Sequence, residues 1–243
     1  MLNDEDIDDL VTEAQTLARL NHPHIVHVLD FAVEDGTPFL VMEYAPKGTL
    51  RRLHPQGTRL SPETILPYVQ QMASALQYAH DQRLIHRDVK PENMLLSQQD
   101  LVLLSDFGLA MLSPQTFGHS TQKMTDSFVG TTSYLAPEQL HGNPQAQSDQ
   151  YALGVVVYEW LCGKRPFNGS PMEIAMQQLS APPPSLREQV PDLSPALEET
   201  VLRALAKEPQ QRFASATDAL RELQQVILPS PSGSLSSRDF APF

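Results

Sequence analysis

The chain has 243 residues, of which 41% are hydrophobic, and a formal net charge of −12. This length suits one large domain or two small lobes around a cleft, and the hydrophobic share excludes wholesale disorder. The acidic balance argues against nucleic acid as the main partner, because a phosphate backbone needs a basic face. Cys162 is the single cysteine, which excludes an intramolecular disulfide and a cysteine-based zinc site.

The sequence contains no segment typical of a membrane span. Its best apolar run, residues 151–162, is too short and carries Glu159. The first residues also lack a charged region followed by an apolar region, which a secretory signal would need. We therefore expect a cytoplasmic protein.

The first predicted elements are a helix and a β-hairpin. Apolar residues at helical spacing predict a helix over residues 6–20, with acidic residues in its first turns, where the helix dipole favours them. Pro23 prevents its continuation. Two β-rich runs follow at 25–33 and 38–44, and the polar residues between them predict a hairpin turn.

Helices dominate the rest of the chain. Ser61 as N-cap and Pro62 in the first turn predict the start of a helix over residues 62–80. A second small hairpin is predicted from 94–96 and 101–104. Further helices are predicted at 136–140, 147–162, 171–179, 195–206 and 214–226. Beyond Leu228, a tail rich in proline and serine is expected to be disordered.

The segment Ile-His-Arg-Asp-Val-Lys-Pro-Glu-Asn at residues 85–93 carries the strongest chemical signal. Asp88, Lys90 and Asn93 can all point into one pocket from a tight loop. The aspartate can accept a hydroxyl proton, the lysine can neutralise a phosphoryl group during transfer, and the asparagine oxygen can hold Mg²⁺.

Two further motifs follow in chain order. Asp-Phe-Gly at residues 106–108 comes directly after an apolar strand, where a carboxylate can reach a metal ion that bridges nucleotide phosphates. Ala-Pro-Glu at residues 136–138 closes the intervening segment. Together with the 85–93 loop, these motifs resemble those of the eukaryotic-like serine/threonine protein kinases, and especially their bacterial branch.

The resemblance implies an α+β protein-kinase-like fold. A remnant small lobe would occupy residues 1–45, a mostly α-helical large lobe residues 46–228, and the disordered tail residues 229–243. The implied reaction is transfer of the γ-phosphoryl group of MgATP to a serine or threonine hydroxyl of a protein. Lys90 indicates this acceptor class, because tyrosine kinases usually lack a lysine at that position.

The resemblance also implies catalytic roles for five residues. Asp88 would orient the acceptor hydroxyl and take its proton, while Lys90 would stabilise charge on the γ-phosphoryl group. Asn93 and Asp106 would hold the metal ions. Thr131 would bond to Asp88 and Lys90 and so belongs to the site.

A second set of residues is implied to contact the nucleotide. Met42 resembles the gatekeeper, and the backbone of Glu43 and Ala45 would hydrogen-bond to adenine from the hinge. Leu95 would be a further contact. Glu13 resembles the regulatory-helix glutamate that orients a strand lysine in the family, and a merely solvated acidic residue is the alternative interpretation.

Regulation is implied by Arg87, which precedes the catalytic aspartate. Kinases with this arginine tend to need a phosphate on the activation segment, here residues 106–138, to satisfy the guanidinium. Thr125 and Ser127 are the candidate phosphorylation sites. Ordinary hydroxyl groups of a flexible loop are the alternative at both positions.

Two structural features complete the resemblance. Asp149 matches the family's buried helix aspartate, which holds the backbone of the catalytic loop. Arg212 matches the partner of Glu138 in a buried ion pair that is costly to break from one side.

The sequence departs from the family before the catalytic loop. Kinases of this type begin with a Gly-rich loop and a strand lysine, whereas no lysine precedes Lys47 here and no Gly-rich loop precedes Asp88. Three explanations are open: a longer polypeptide of which this is a part, an ATP-poor pseudokinase scaffold, or a docking module that uses the helical lobe. The large-lobe residues favour the first.

The departure from the family pattern also predicts how the chain binds nucleotide and whether it self-associates. Without the preceding strands, we expect weak MgATP binding and an uncovered hairpin face. Apolar residues of this face should promote self-association. The residues expected to be uncovered are Ile25, Val26, Val28, Leu40 and Val41.

Overall fold

The computed structural model describes residues 17–34, 37–107 and 132–228 of the chain. Within these ranges a β-hairpin is followed by two helices, a second β-hairpin and five further helices. The expected α+β arrangement, with a small β-containing part ahead of a mostly helical part, is confirmed. Across the described ranges, no helix is both long enough and apolar enough to span a membrane.

The first hairpin pairs β1 (Val28–Glu34) with β2 (Thr37–Met42) in antiparallel register. Strand β1 begins later than the predicted position 25, because residues 24–26 bond to the second hairpin instead. The N–H of Val26 donates to the carbonyl of Leu104 at 3.0 Å, and the N–H of Leu104 donates to the carbonyl of His24 at 2.9 Å. Most of the helix predicted at 6–20 lies outside the described residues.

The second hairpin lies where the sequence predicted it. Strand β3 (Met94–Leu96) pairs antiparallel with β4 (Val102–Leu104). The segment after β2 joins this sheet edge, since the N–H of Leu96 donates to the carbonyl of Gly48 at 2.8 Å. The segments before and after the first hairpin are therefore both bonded through the backbone to the second hairpin.

Seven α-helices occur in the described ranges. They are α1 (Leu50–Leu53), α2 (Pro62–Asp81), α3 (Pro137–Leu140), α4 (Ala146–Cys162), α5 (Pro171–Ser180), α6 (Pro195–Ala204) and α7 (Ala216–Ile227). Six were predicted to within a few residues. Helix α1 was not predicted. It is one turn long and is capped by the hydroxyl of Thr49, which accepts from the N–H of Arg52 at 3.1 Å.

Serine caps explain where several helices begin. The hydroxyl of Ser61 accepts from the N–H of Thr64 at the start of α2, and Pro62 occupies the first turn, where its missing N–H costs nothing. Ser194 and Ser215 cap α6 and α7 in the same way. These signals are local in sequence, which is why the helix starts were predictable.

Helix α4 forms the centre of the hydrophobic core. All its residues from Ser148 to Cys162 are buried, and it packs against α2, α6 and α7. Trp160 is among the largest fully buried side chains. Cys162 is buried as expected of a small hydrophobic residue, and this burial raises the pKa of its thiol to about 11.

The predicted uncovered face of the hairpin needs correction. Ile25, Val26 and Val28 are buried, at 5%, 5% and 9% exposure, because they pack beside Leu17, Leu20 and Leu104. Leu40 is half-buried, and of the five residues only Val41 is exposed, at 40%. The exposed apolar side chains of this region are instead those of Leu29, Phe39, Val41, Met42 and Tyr44.

Candidate active site

The loop at residues 85–93 is fixed by the carboxylate of Asp149 on the first turn of α4. Its Oδ2 accepts from the backbone N–H of His86 at 2.9 Å, and its Oδ1 accepts from the N–H of Arg87 at 2.8 Å. Oδ2 also lies 2.8 Å from Nε2 of His80. Arg87 has a φ of +69°, which a non-glycine residue adopts only when its surroundings enforce it. The two hydrogen bonds from a buried carboxylate supply that constraint.

His86 links this loop to the end of β4. Its Nε2 donates to the carbonyl of Ser105 at 2.8 Å, and its Nδ1 accepts from the N–H of Asp88 at 3.2 Å. A neutral imidazole protonated at Nε2 satisfies both bonds. Burial lowers the pKa of His86, and this outweighs the opposing effect of the carboxylates of Asp149 and Asp88.

Asp88, Lys90 and Asn93 come together as the sequence predicts. Oδ2 of Asp88 lies 2.7 Å from Nζ of Lys90 and accepts from Nδ2 of Asn93 at 2.9 Å. The same Nδ2 also donates to the backbone carbonyl of Asp88 at 2.8 Å. Lys90 and Asn93 therefore hold the carboxylate in one orientation. The carboxylate is also partly exposed, so it remains accessible to solvent.

Asp106 follows directly after Ser105, which bonds twice to the backbone carbonyl of Asn93. The N–H of Ser105 donates at 2.9 Å and its hydroxyl at 3.2 Å. Asp106 itself has a φ of +60°, which turns the chain sharply at the end of β4. Phe107 then packs its ring edge-on against the imidazole of His86, with ring centroids 4.5 Å apart.

The donor set of Asn93 and Asp106 fits Mg²⁺. Both offer oxygen atoms, and Asn93 makes its hydrogen bonds to Asp88 through Nδ2, which leaves Oδ1 as an acceptor. Mg²⁺ keeps several waters and typically takes one or two carboxylates together with substrate phosphates.

The predicted nucleotide contacts follow β2. Met42 and Asp106 both line a pocket between the first hairpin and the end of β4. The N–H of Glu43 donates to the carbonyl of His27 at 2.9 Å, so only the carbonyl of Glu43 is left for a base. Leu95 is half-buried on β3, where it pairs with Thr49 beyond the hinge.

Glu138 and Arg212 are also brought together. The guanidinium of Arg212 binds both carboxylate oxygens, and the hydroxyl of Ser148 donates to Oε1 of Glu138 at 2.7 Å. Burial alone would raise the pKa of Glu138, but the hydrogen bonds from Arg212 and Ser148 outweigh it and lower the pKa. The loop also bonds to this region, since Nε2 of Gln139 donates to the backbone carbonyl of Arg87 at 2.8 Å.

Comparison with known proteins agrees with this geometry. A family model described as the protein kinase domain matches residues 2–223. The chain belongs to the protein kinase family. The resemblance inferred from the motifs is thereby confirmed at the level of the family.

Three bacterial kinases illustrate the similarity. Serine/threonine-protein kinase PrkC of Bacillus subtilis is 38% identical over 218 residues, which is 88% of the chain and 33% of PrkC. PknB of Mycobacterium tuberculosis, strain H37Ra, is 39% identical over 223 residues, covering 88% of the chain and 35% of PknB. PknB of Mycolicibacterium smegmatis is 38% identical over 220 residues, with 88% and 35% covered. The kinase chain spans about a third of the length of these curated relatives.

Several predicted kinase residues lie outside the described residues. These are the regulatory-helix candidate Glu13, the site threonine Thr131, and the two candidate phosphorylation sites Thr125 and Ser127. Their roles stay predictions.

One buried polar network of this kinase domain was not predicted from the sequence. Arg51 of α1 donates to both carboxylate oxygens of Glu159, at 2.8 and 3.0 Å, and to Glu92 at 2.7 Å. The hydroxyl of Tyr134 bonds to Arg51 and Glu159. Burial disfavours the charged form of Arg51, but the hydrogen bond to Glu159 outweighs it and raises the pKa of Arg51. A charged residue, Glu159, inside the apolar run 151–162 was the only signal in the sequence.

Proposed function

We propose that this kinase domain transfers the γ-phosphoryl group of MgATP to serine or threonine hydroxyls of a protein substrate. The observation that carries the proposal is the orientation of Asp88 by Lys90 and Asn93, with Asp106 beside Asn93. Because MgATP is the donor, we assign the activity to the cytoplasm, where this nucleotide is available.

Each residue of this group has a distinct task in the proposed reaction. Asp88 accepts the proton of the acceptor hydroxyl, since its carboxylate is accessible and held by two neighbours. Lys90 lies 2.7 Å from that carboxylate, so its ammonium group can offset negative charge at the same point. When bound by Asn93 and Asp106, Mg²⁺ would neutralise phosphate charge. Catalysis by the protein is then mostly positioning and electrostatics.

The nucleotide would bind at the hinge. The carbonyl of Glu43 and the backbone of Ala45 supply hydrogen bonds to adenine, and Leu95 supplies an apolar contact below it. Met42 closes the inner end, next to the pocket whose lining it shares with Asp106. We further propose that Thr131 completes the catalytic group.

Control by phosphorylation is supported by the guanidinium of Arg87. Its Nε is buried and has no hydrogen-bond partner within the described ranges. An unsatisfied buried donor next to the catalytic loop favours a phosphate as its partner. Thr125 and Ser127 remain the proposed phosphate carriers, and Glu13 the proposed partner of a strand lysine.

A pseudokinase scaffold is the second candidate function. It would apply if no strand lysine is supplied to the site, since residues 1–46 contain no lysine and a phosphate-binding strand lysine is part of the family chemistry. Loss of such a charge-assisted bond alone costs about 1.5–3 kcal/mol. We therefore expect the chain to bind MgATP at least about tenfold more weakly than a complete kinase.

A fusion experiment separates the two functions. A complete small lobe from a related kinase is joined ahead of Leu10, and transfer of labelled phosphate from ATP to a generic serine/threonine substrate is measured alongside the dissociation constant of MgATP. The fusion should be active. In the same fusion, Asp88→Asn should lower turnover by a factor on the order of 10²–10⁴ while MgATP binding stays nearly unchanged.

Three results of this experiment would contradict the expectations. A fusion that folds and binds MgATP but transfers no phosphate supports the scaffold. A fusion carrying Asp88→Asn with unchanged turnover removes Asp88 from the chemistry. Normal activity of the unmodified chain would show that weak nucleotide binding was the wrong expectation.

A further inference from the structure

Arg165 lies just beyond the end of α4, over the ring of Tyr134. Its guanidinium carbon is 5.9 Å from the ring centroid, which is within the range of a cation–π contact. Arg165 is half-buried, and its enclosed Nε makes no hydrogen bond to any described residue. The ion pairs found within the described ranges do not include it. The guanidinium is therefore held on an aromatic ring, and its charge has no counter-ion in the described part of the chain.

The ring under Arg165 is connected to the catalytic loop. The hydroxyl of Tyr134 bonds to the guanidinium of Arg51, and Nε of Arg51 donates to Glu92 at 2.7 Å. Glu92 belongs to the loop at residues 85–93. Arg165 thus lies outside this loop and is linked to it through two side chains.

The two carboxylates of this polar network are already paired. Glu159 accepts from Arg51 at 2.8 and 3.0 Å, and Glu92 accepts from the same guanidinium. Both carboxylates therefore take their hydrogen-bonded cation from Arg51 and not from Arg165. An anion that binds Arg165 would not have to break either of these pairs.

Two further cations lie at the same end of α4. Nε of Arg59 donates to the carbonyl of Cys162 at 3.1 Å, and Lys164 directly precedes Arg165. Both are exposed, although the chain as a whole carries a net charge of −12. A helix C-terminus attracts positive charge, and Arg59 serves this end of α4 through its bond to Cys162. Arg165 makes no such bond within the described ranges, so the helix end alone does not account for its position.

We propose that Arg165 binds an acidic side chain of the protein substrate, with Arg59 and Lys164 adding to the positive field around it. This inference rests on the proposed kinase function and names a substrate class for it. A guanidinium can hold a carboxylate through two parallel hydrogen bonds. The contact with Tyr134 limits the motion of the guanidinium, so less freedom is lost when the carboxylate binds. Since Arg165 lies outside the catalytic loop, the acidic residue is a different residue of the substrate from the acceptor serine or threonine.

Peptide binding tests the proposal without nucleotide. A set of serine peptides carries one glutamate, moved one position at a time, and each peptide has a partner with glutamine at that position. Dissociation constants for the unmodified chain are measured by fluorescence anisotropy at low ionic strength. At one or two neighbouring positions, the glutamate peptide should bind about 2- to 5-fold more tightly than its glutamine partner, the size of one partly exposed ion pair. The difference should shrink at high salt.

Variants test whether Arg165 is responsible. At the position found, Arg165→Glu should abolish the preference for glutamate and favour a peptide with lysine there. Arg165→Gln should make the glutamate and glutamine peptides equal, and it replaces the first variant if that one fails to fold. Arg203→Glu is the matched control, because Arg203 is an exposed arginine 4.4 Å over the ring of Phe213. It should leave the preference unchanged.

Three results would overturn the proposal. They are the lack of any position at which glutamate binds more tightly than glutamine, an unchanged preference in Arg165→Gln, and an equal loss of preference in Arg203→Glu.

The fusion with a complete small lobe separates this proposal from the kinase function itself. In the fusion, the glutamate peptide should have a lower KM than the glutamine peptide at similar kcat, because uniform binding of substrate and transition state changes KM alone. Equal KM values for the two peptides would overturn the role of Arg165 and leave the kinase function standing. A fusion that transfers no phosphate but keeps the glutamate preference would contradict the kinase function and support the acidic-peptide site.

Discussion

Arg212 donates two side-by-side hydrogen bonds to Glu138, although 74 residues separate them in the chain. Nη1 lies 2.6 Å from Oε1, and Nη2 lies 2.8 Å from Oε2. Both residues are buried, at 3% and 7% exposure, and Arg212 also donates to the backbone carbonyls of Ala206 and Gln147. One guanidinium therefore joins α3, the start of α4 and the segment after α6.

Removing this guanidinium should destabilise the fold strongly. Arg212→Met leaves the carboxylate of Glu138 buried without its cation, which typically costs about 3–5 kcal/mol. Urea unfolding checks the size of the loss. Arg221→Met is the matched control, because its partner Asp218 lies on an exposed helix surface, and it should change stability little. Equal losses in the two variants would contradict a structural role for the buried pair.

Stability should fall as the pH drops below about 6.5, the ordinary pKa of histidine. The folded-state pKa of His86 is lowered by burial, so the unfolded chain takes up the proton first. The stabilisation is therefore complete above pH 6.5 and is lost as the pH falls towards the folded-state value. Protonation would also place a hydrogen on Nδ1 of His86. This nitrogen could then no longer accept the hydrogen bond from the N–H of Asp88.

The measurement is the free energy of unfolding between pH 7.5 and 5 for the unmodified chain and for His86→Gln. The unmodified chain should lose more stability over this range. His22 and His54 also have a pKa lowered by burial, but they are present in both proteins and cancel in the difference. Glu138 titrates below this window, because the hydrogen bond from Arg212 lowers its pKa from the ordinary value of about 4.5. If the free energy of unfolding fell equally with pH in the two proteins, His86 would have no part in the pH dependence.

Asp149→Asn should loosen the catalytic loop without unfolding the chain. An asparagine keeps the size but presents an NH₂ group to one of the two backbone N–H donors of His86 and Arg87. We expect a loss of about 1–3 kcal/mol. Hydrogen exchange should accelerate at these two amides more than in α2. Asp192→Asn, at an exposed position, is the control and should leave both amides unchanged.

Self-association should depend on Phe39 and Val41. They lie two residues apart on β2, hence on the same face, and are 41% and 40% exposed. Burying a large apolar side chain typically contributes about 1.5–3 kcal/mol. Phe39→Ser with Val41→Ser should lower the molar mass measured by light scattering at high concentration. Met172→Ser with Met176→Ser, which changes two exposed methionines of α5, should not. A monomeric unmodified chain would contradict this prediction.

Capping residues and apolar spacing predicted most of the helices. They did not predict those parts of the fold that depend on contacts between residues far apart in the sequence. Ser61 and Pro62 mark the start of α2 within a few residues of sequence. By contrast, nothing near Ile25 indicates that it leaves the first hairpin to bridge with Leu104. The same contact explains why Ile25 is buried, against expectation.

The candidate site likewise has a part that the sequence predicted and a part that it did not. The spacing of Asp88, Lys90 and Asn93 was sufficient to predict that they meet, because a tight loop holds all three. The network of Arg51 was not predictable, since its partner Glu159 lies 108 residues away and α1 is too short for a helical pattern.

The bonds between residues 24–26 and β4 have a mechanical consequence. Both backbone groups of Leu104 are used, with its N–H bonded to His24 and its carbonyl to Val26. Asp106 follows at the end of the same strand. The segment that leads into the first hairpin is therefore bonded to the strand that ends next to the candidate metal ligand. We expect a displacement of this segment to change the position of Asp106.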